Sequence, residues 1–273
     1  PRIPPAELDA MIRAGEPVVV LDARPAEEFR RMSIPGAIDV PGAELAWRVH
    51  DLAPDPATTV VVNCAGRTRS IIGCQSLRNA GIPNRVVALK DGTMGWELAG
   101  LRCERGSLRE APPPSPEGRA RARAAAARVA ARFGVRFIDA DTAREWLADS
   151  GRSTYLLDVR SPAEFRERHI AGSRSAPGGQ LVQATDEYIA ARAARVILVD
   201  PEQVRAVMTA SWLEQMGLPE VCVLLPEGED GFAGWATAEG EAGAPGAREA
   251  PSWREIEPGA LAGRLADPGI AVL

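Results

Sequence analysis

The first hundred residues alternate between short apolar runs and longer stretches with a helical period. Three near-continuous apolar runs, at residues 18–21, 60–62 and 86–89, predict strands that are buried on both faces. Two stretches have the helical pattern: residues 5–14, which precede the first run, and residues 70–80, which lie between the second and the third. This alternation predicts an α/β fold with a mostly parallel central sheet and helices on both faces.

The same pattern occurs twice in the chain. Six residues of the first half return in the second half, each 136 positions later. They are Asp22, Arg24, Glu28, Phe29, Ile34 and Gly36, which return as Asp158, Arg160, Glu164, Phe165, Ile170 and Gly172. This repeat predicts two copies of one domain in tandem. A third copy is predicted to begin near the end, because residues 256–261 and 269–273 resemble residues 3–8 and 17–21.

These observations divide the chain into four parts. Residues 1–108 are predicted to form the first domain and residues 135–240 the second. Residues 109–134 join them through a proline-rich linker and an Ala- and Arg-rich helix over residues 119–132. Residues 241–273 are predicted to hold another linker and the start of the third copy, as expected of a fragment of a longer multi-domain protein.

The candidate nucleophile is Cys64, which follows the apolar run at residues 60–62. A cysteine between a buried strand and a helix lies beside the helix dipole and unpaired backbone N–H groups, which favour the thiolate and bind anions. The rest of the candidate site consists of Ala65, Gly66, Arg67, Thr68, Arg69 and Ser70. A buried core cysteine is the alternative, but the two arginines so close in the chain weigh against it.

The loop from Cys64 to Ser70 resembles the active-site loop of the rhodanese family, sulfurtransferases that carry a sulfane sulfur as a cysteine persulfide. Residues 22–37 and 92–96 resemble two further segments of that family, in the right order and spacing. There are two departures. Met-Ser stands where the family usually has Gly-His, and the loop glycine is two residues after the cysteine instead of three.

The resemblance implies tandem rhodanese-like domains and a sulfurtransferase that needs no cofactor. Cys64 would attack the outer sulfur of thiosulfate or a similar small anionic donor. The persulfide would then pass its sulfur to cyanide or to a thiol, including a protein thiol. Backbone amides of residues 65–70 would stabilise the developing charge. Arg69 would contact the sulfonate, and Arg67 would lie at the rim of the site.

The second copy lacks this chemistry, because Asp200 stands 136 positions after Cys64. Asp200 is followed by proline and glutamate, the pattern of a capped helix start, and its carboxylate would use the N–H groups that bind anions in the first copy. We predict an inactive domain that packs against the first and shapes the substrate entrance. The recurrence of Asp22, Arg24 and Glu28 in this copy indicates a role in the fold, with Arg24 paired to one of the two acids.

Two other functions stay open. A phosphatase or arsenate reductase of the same fold would use the same thiolate. Phosphatases of this fold, however, have five residues between the cysteine and the arginine, and here four separate Cys64 from Arg69. The other alternative is a non-catalytic module that senses sulfur or binds a protein.

Composition and residue spacing bear on the partners, the location, the metal content and the disulfides of the protein. A net charge of −5 argues against a nucleic-acid partner. The absence of an apolar run of membrane-spanning length and of a signal pattern favours a cytoplasmic protein without a membrane span. His50 and His169 lie near no cysteine or acidic cluster, so no metal is expected. The other cysteines are expected to be structural and free of disulfides: Cys74, Cys103 and Cys222.

Overall fold

The structure, a computed structural model, describes residues 1–241 and 257–264. The first copy folds around a five-stranded sheet with the strand order β1-β5-β4-β2-β3, in which every pairing is parallel. Its strands are β1 (Arg2–Ile3), β2 (Val18–Asp22), β3 (Ile38–Asp39), β4 (Thr59–Asn63) and β5 (Val86–Leu89). Its helices are α1 (Pro5–Arg13), α2 (Ala26–Arg31), α3 (Glu44–Leu52), α4 (Thr68–Ala80) and α5 (Gly92–Leu98).

The second copy repeats this arrangement. Its five-stranded parallel sheet has the order β6-β11-β10-β7-β9, and a short antiparallel pair, β8 with β12, is added. The strands are β6 (Arg136–Ile138), β7 (Thr154–Asp158), β8 (His169–Ile170), β9 (Arg174–Ser175), β10 (Arg195–Val199), β11 (Glu220–Leu224) and β12 (Thr237–Ala238). The helices are α7 (Ala140–Ala148), α8 (Pro162–Glu167), α9 (Gly178–Gln183), α10 (Thr185–Tyr188) and α11 (Val204–Gln215).

The predicted α/β fold and tandem repeat are therefore confirmed. The central strand β4 is buried along its whole length, as its run of valines predicts for a strand covered on both faces. Helix α4 begins at Thr68, two residues earlier than the pattern predicts, and ends at Ala80, where Gly81 caps it with a left-handed φ of 72°. Among the described residues, no helix is long and apolar enough to cross a membrane.

A long helix, α6 (Pro116–Phe133), connects the two copies. Ser115 caps its start by accepting a hydrogen bond from Gly118 N at 3.0 Å. Its alanine face, which includes Ala122 and Ala126, is buried against α3, α4 and α11. The predicted connecting helix is thus a packed element, and it fixes the two copies into one compact unit.

The predicted third copy falls mostly outside the described residues. The structure describes a short helix there, α12 (Pro258–Ala262), at the position where the repeat places α1. The domain boundaries given above stay predictions.

Asp39, at the end of edge strand β3, is a buried acid. Its side chain is buried, and its Oδ1 has no hydrogen-bond partner within the described residues. Burial, together with the nearby charges of Asp22 and Glu110, raises its pKa from 3.8 to about 7. In the second copy Ser175 occupies the same place in the sheet, so the fold does not require an acid there.

We expect Asp39→Asn to stabilise the protein increasingly as the pH rises from 5 to 8. The folded state holds the Asp39 proton more tightly than the unfolded chain, so the wild type loses stability between the two pKa values. Each unit of pKa difference corresponds to about 1.4 kcal/mol, which allows a gain of a few kcal/mol at pH 8. Thermal unfolding at several pH values measures this. A difference in Tm that stays constant with pH would contradict it.

Candidate active site

Cys64 lies at the carboxyl end of β4, between the central strand and α4. It is 1% exposed, and its Sγ lies 3.4 Å from the Oγ of Ser70. The Ser70 hydroxyl also donates to the carbonyl of Arg67 at 3.0 Å, so the loop folds back on itself around the thiol. The structure thus brings together Cys64 and Ser70, two of the candidate site residues.

The backbone of this loop presents its N–H groups without partners. None of the N–H groups from Ala65 to Ser70 donates to an acceptor within the described part of the chain. The carbonyls of Cys64 and Ala65 accept from the N–H groups of Thr93 and Met94, at 2.8 and 3.0 Å. Because C=O and N–H point in opposite directions across a trans peptide, the N–H groups of Ala65 and Gly66 point away from α5. Such a run of free N–H groups at a helix start is an anion site.

The start of α5 fixes the position of the loop, a feature that the sequence analysis missed. Gly92 has a φ of +57°, and a Cβ there would overlap the carbonyl oxygen of Cys64. The hydroxyl of Thr93 also lies 3.2 Å from that oxygen. The sequence did mark this segment, because residues 92–96 resemble a segment of the family. The resemblance did not indicate that the segment contacts the Cys64 loop.

Asn63, the last residue of β4, ties the loop to the sheet. Its Nδ2 donates to Asp22 Oδ2 at 2.7 Å and to the Thr93 hydroxyl at 2.9 Å. The sequence contained a sign of this role that was overlooked. Asn63 is a polar residue at the end of an apolar strand, and the second copy has Val199 at the corresponding position. The bond network Asp22–Asn63–Thr93 therefore belongs to the first copy.

The two loop arginines have different surroundings. Arg67 is exposed and forms no ion pair within residues 1–241 and 257–264. Arg69 is 13% exposed and donates to both oxygens of Glu28, Nη1 to Oε1 at 2.6 Å and Nη2 to Oε2 at 2.7 Å. These hydrogen bonds lower the pKa of Glu28, which stays ionised at neutral pH. Arg24 takes the other predicted partner, Asp22, at 2.8 Å.

The sequence profile of the rhodanese-like domain matches residues 4–99 and 139–238. This chain belongs to the rhodanese family. A thiosulfate sulfurtransferase from Pseudomonas aeruginosa of known structure is 50% identical, with a TM-score of 0.86, over 98% of this chain and 50% of its own. The HTH-type transcriptional regulator Rv0324 of Mycobacterium tuberculosis is 40% identical over 103 residues, 37% of this chain and 44% of its own. The chain therefore spans about half the length of these relatives.

In the second rhodanese-like domain, Asp200 fills the loop with its own carboxylate. Its oxygens accept from the N–H groups of Glu202, Arg205 and Ala206, at 3.2, 2.8 and 3.3 Å. The prediction that the carboxylate uses these N–H groups is confirmed. The predicted helix start at Pro201 is wrong, because α11 begins at Val204. The chain first makes a turn, in which Gln203 N donates to the Asp200 carbonyl, and this turn lets the side chain reach across the loop.

Arg205, the counterpart of Arg69, is 1% exposed and surrounded by acids. It contacts Asp200 at 2.9 Å, Glu164 at 2.7 Å and Glu44 of the first domain at 2.9 Å. Burial opposes ionisation of Glu164, but the charge and hydrogen bonds of Arg205 outweigh it and lower the pKa of Glu164 to about 2. At the position that corresponds to the Cys64 loop, the second rhodanese-like domain thus holds an internal ion-pair network.

The two rhodanese-like domains pack closely beside the Cys64 loop. Helices α9 and α11 of the second domain lie against α3 and α4 of the first. Trp212 Nε1 donates to the Ser76 hydroxyl at 2.8 Å, and a Cβ on Gly42 would lie 2.7 Å from the Cα of Gly179. Arg69 lines the small cavity that remains between the domains. The predicted packing is confirmed, and the shaping of the entrance stays a prediction.

No group of three or more His, Cys, Asp or Glu side chains suited to holding a metal ion occurs in the described part of the protein. Cys74 is buried in α4, and burial raises the pKa of its thiol, as expected for a structural cysteine. Cys103 is partly exposed, and burial likewise raises its pKa.

We expect Asp200→Cys, combined with Cys64→Ser, to form no persulfide on the introduced thiol. Pro201 stands where the first domain has Ala65, so one N–H donor of the loop is missing. The change would also leave Arg205 short of one buried anion. Mass spectrometry of the variant after incubation with thiosulfate tests this, with circular dichroism to confirm folding. A sulfur adduct on position 200 would refute it.

Proposed function

We propose that the chain is a sulfurtransferase that moves a sulfane sulfur from thiosulfate, or a similar anionic donor, to cyanide or a thiol through a Cys64 persulfide. The observation that carries the proposal is the ring of free N–H groups from Ala65 to Ser70 around a thiol. The second domain supports it, because there a carboxylate occupies the corresponding N–H groups. The similar Pseudomonas protein is a thiosulfate sulfurtransferase.

In the first step, the Cys64 thiolate attacks the outer sulfur of thiosulfate. A new S–S bond forms, the bond between the two thiosulfate sulfurs breaks, and sulfite leaves with that electron pair. The free N–H groups stabilise the negative charge of donor and leaving group, as an oxyanion hole does. Arg69, whose terminal nitrogens also donate to Glu28, supplies positive charge to the sulfonate, and Arg67 supplies charge at the rim.

In the second step, an acceptor attacks the outer sulfur of the persulfide. Cyanide forms thiocyanate and returns the electron pair of the S–S bond to Cys64 as a thiolate. A thiol acceptor, including a protein thiol, is persulfidated in the same way. The cycle is a double displacement and needs no cofactor.

Mass spectrometry of the purified protein tests both steps. After incubation with thiosulfate, the peptide that contains Cys64 should gain about 32 Da, the mass of one sulfur atom. Addition of cyanide should remove this gain and release one thiocyanate per persulfide. If thiosulfate leaves the peptide unchanged while a phosphate ester is hydrolysed, the phosphatase alternative gains the support that the sulfurtransferase loses.

A sulfur-sensing role is the second candidate, because 103 residues of the chain are 40% identical to part of a transcriptional regulator. In that case Cys64 would accept sulfur but would not pass it on at a useful rate. Multiple-turnover kinetics with thiosulfate and cyanide separate the two. A persulfide that forms and then persists for hours in excess cyanide would favour the sensor.

A further inference from the structure

Arg69, the loop arginine proposed to contact the donor, is already paired with a carboxylate in the structure. Both of its terminal nitrogens donate to the carboxylate of Glu28. Because the Arg69 side chain is mostly buried, water and salt screen the charges of this pair only in part. Glu28 itself is 41% exposed and touches no other cation within the described ranges. The charge of Arg69 is therefore offset before any donor arrives.

The second domain shows that this pair does not depend on sulfur chemistry. Glu164 contacts Arg205 at 2.7 Å in a loop that has no thiol. There, however, Arg205 also meets Asp200 and Glu44, whereas Glu28 is the carboxylate that contacts Arg69. In the first domain, Glu28 is consequently the side chain that most directly offsets the charge of Arg69.

We propose that Glu28 determines the donor preference of the Cys64 site, favouring singly charged sulfane donors over the doubly charged thiosulfate. The inference rests on the proposed function. The free N–H groups carry partial charges and suit one negative group, and the exposed Arg67 adds only a screened charge. A second negative charge on the donor meets the Glu28 carboxylate across Arg69 and is repelled.

The chemistry is the same for both donor classes. A thiosulfonate, R–SO₂–S⁻, gives its outer sulfur to the Cys64 thiolate, the bond between its two sulfurs breaks, and a sulfinate leaves with the electron pair. Thiosulfate gives sulfite instead. The thiosulfonate and its sulfinate each carry one negative charge, whereas thiosulfate and sulfite each carry two. An electrostatic effect of Glu28 must therefore be larger for thiosulfate.

The test is Glu28→Gln, which keeps the shape and one hydrogen bond to Arg69 but removes the charge. Steady-state kinetics with cyanide as acceptor would use thiosulfate and benzenethiosulfonate as donors. We expect KM for benzenethiosulfonate to fall about threefold and KM for thiosulfate about tenfold, because Coulomb energy is proportional to donor charge. In about 1 M salt both effects should shrink.

Glu27→Gln is the matched control. Glu27 is the preceding residue of α2, is exposed, and forms no ion pair in the described part of the chain. The same isosteric change there should alter KM for the two donors by less than about twofold. Glu28→Asp, which retains the charge, should keep the wild-type ratio of the two KM values. If Glu28→Gln does not fold, Glu28→Ala makes the same comparison.

Equal changes in KM for both donors, or no change, would overturn the role of Glu28 and leave the sulfurtransferase intact. If the wild type forms no persulfide with either donor, the proposed function itself fails. The wild-type persulfide measurement is therefore made first.

Discussion

Cys64→Ser should abolish sulfur transfer while leaving the protein folded. A serine hydroxyl is not ionised at neutral pH and cannot form a persulfide, so we expect kcat/KM for thiosulfate to fall by at least about a thousandfold. The fold should tolerate the change, because the side chain is small and Ser70 Oγ, 3.4 Å from the present Sγ, can bond a second hydroxyl. Thiocyanate formation measures activity, and thermal unfolding measures stability.

Cys103→Ser is the control for this substitution. Cys103 is the partly exposed thiol of the first domain and lies outside the loop, so its loss should leave turnover within about twofold of the wild type. Substantial activity in Cys64→Ser, or its loss in Cys103→Ser, would place the reactive sulfur elsewhere.

Gly92→Ala should also cost much of the activity, by displacing the loop instead of removing the nucleophile. A left-handed φ of +57° costs alanine about 1–2 kcal/mol, and the added methyl would overlap the Cys64 carbonyl and lie 2.9 Å from the Ala65 carbonyl carbon. The loop backbone must therefore move, and displacement of about 1 Å at a reacting group can cost about a hundredfold. We expect at least that loss in kcat/KM, with a fall of about 2 kcal/mol or more in the free energy of unfolding.

Gly100→Ala separates backbone strain from contact with the loop. Gly100 has a φ of +76°, but a methyl group there would meet nothing within 4 Å. It should lose stability with little change in kcat/KM. If the two variants lose activity equally, the close approach of Gly92 to the Cys64 loop is not what positions the nucleophile.

Local pattern was enough to predict the strands and the helices that flank the site. The run at residues 86–89 is β5 without any change of boundary, and β4 extends the run at residues 60–62 by one residue at each end. These elements follow from side-chain period and β-branching, which act over a few residues. The two-copy architecture could also be predicted from the sequence, because the repeat preserves both the spacing and the residue types.

The parts that could not be predicted depend on contacts between distant residues. Glu28 and Arg69 are 41 positions apart, and nothing in either segment specifies that this acid, and not Asp22, meets that arginine. Thr93 reaches the Cys64 carbonyl across 29 positions for the same reason. At Asp200 local rules were misleading, since the Asp-Pro sequence favours a helix start that the reach of the carboxylate replaces by a turn.

Asp200 has a consequence for how the two domains can change over evolutionary time. Three backbone N–H groups and the guanidinium of Arg205 depend on its carboxylate. Replacement of Asp200 by cysteine would weaken the pairing of the buried Arg205 charge, and breaking such pairs costs several kcal/mol. A thiol at this position therefore requires further substitutions around Arg205. Selection for a folded chain is enough to preserve the carboxylate, even where no chemistry is selected.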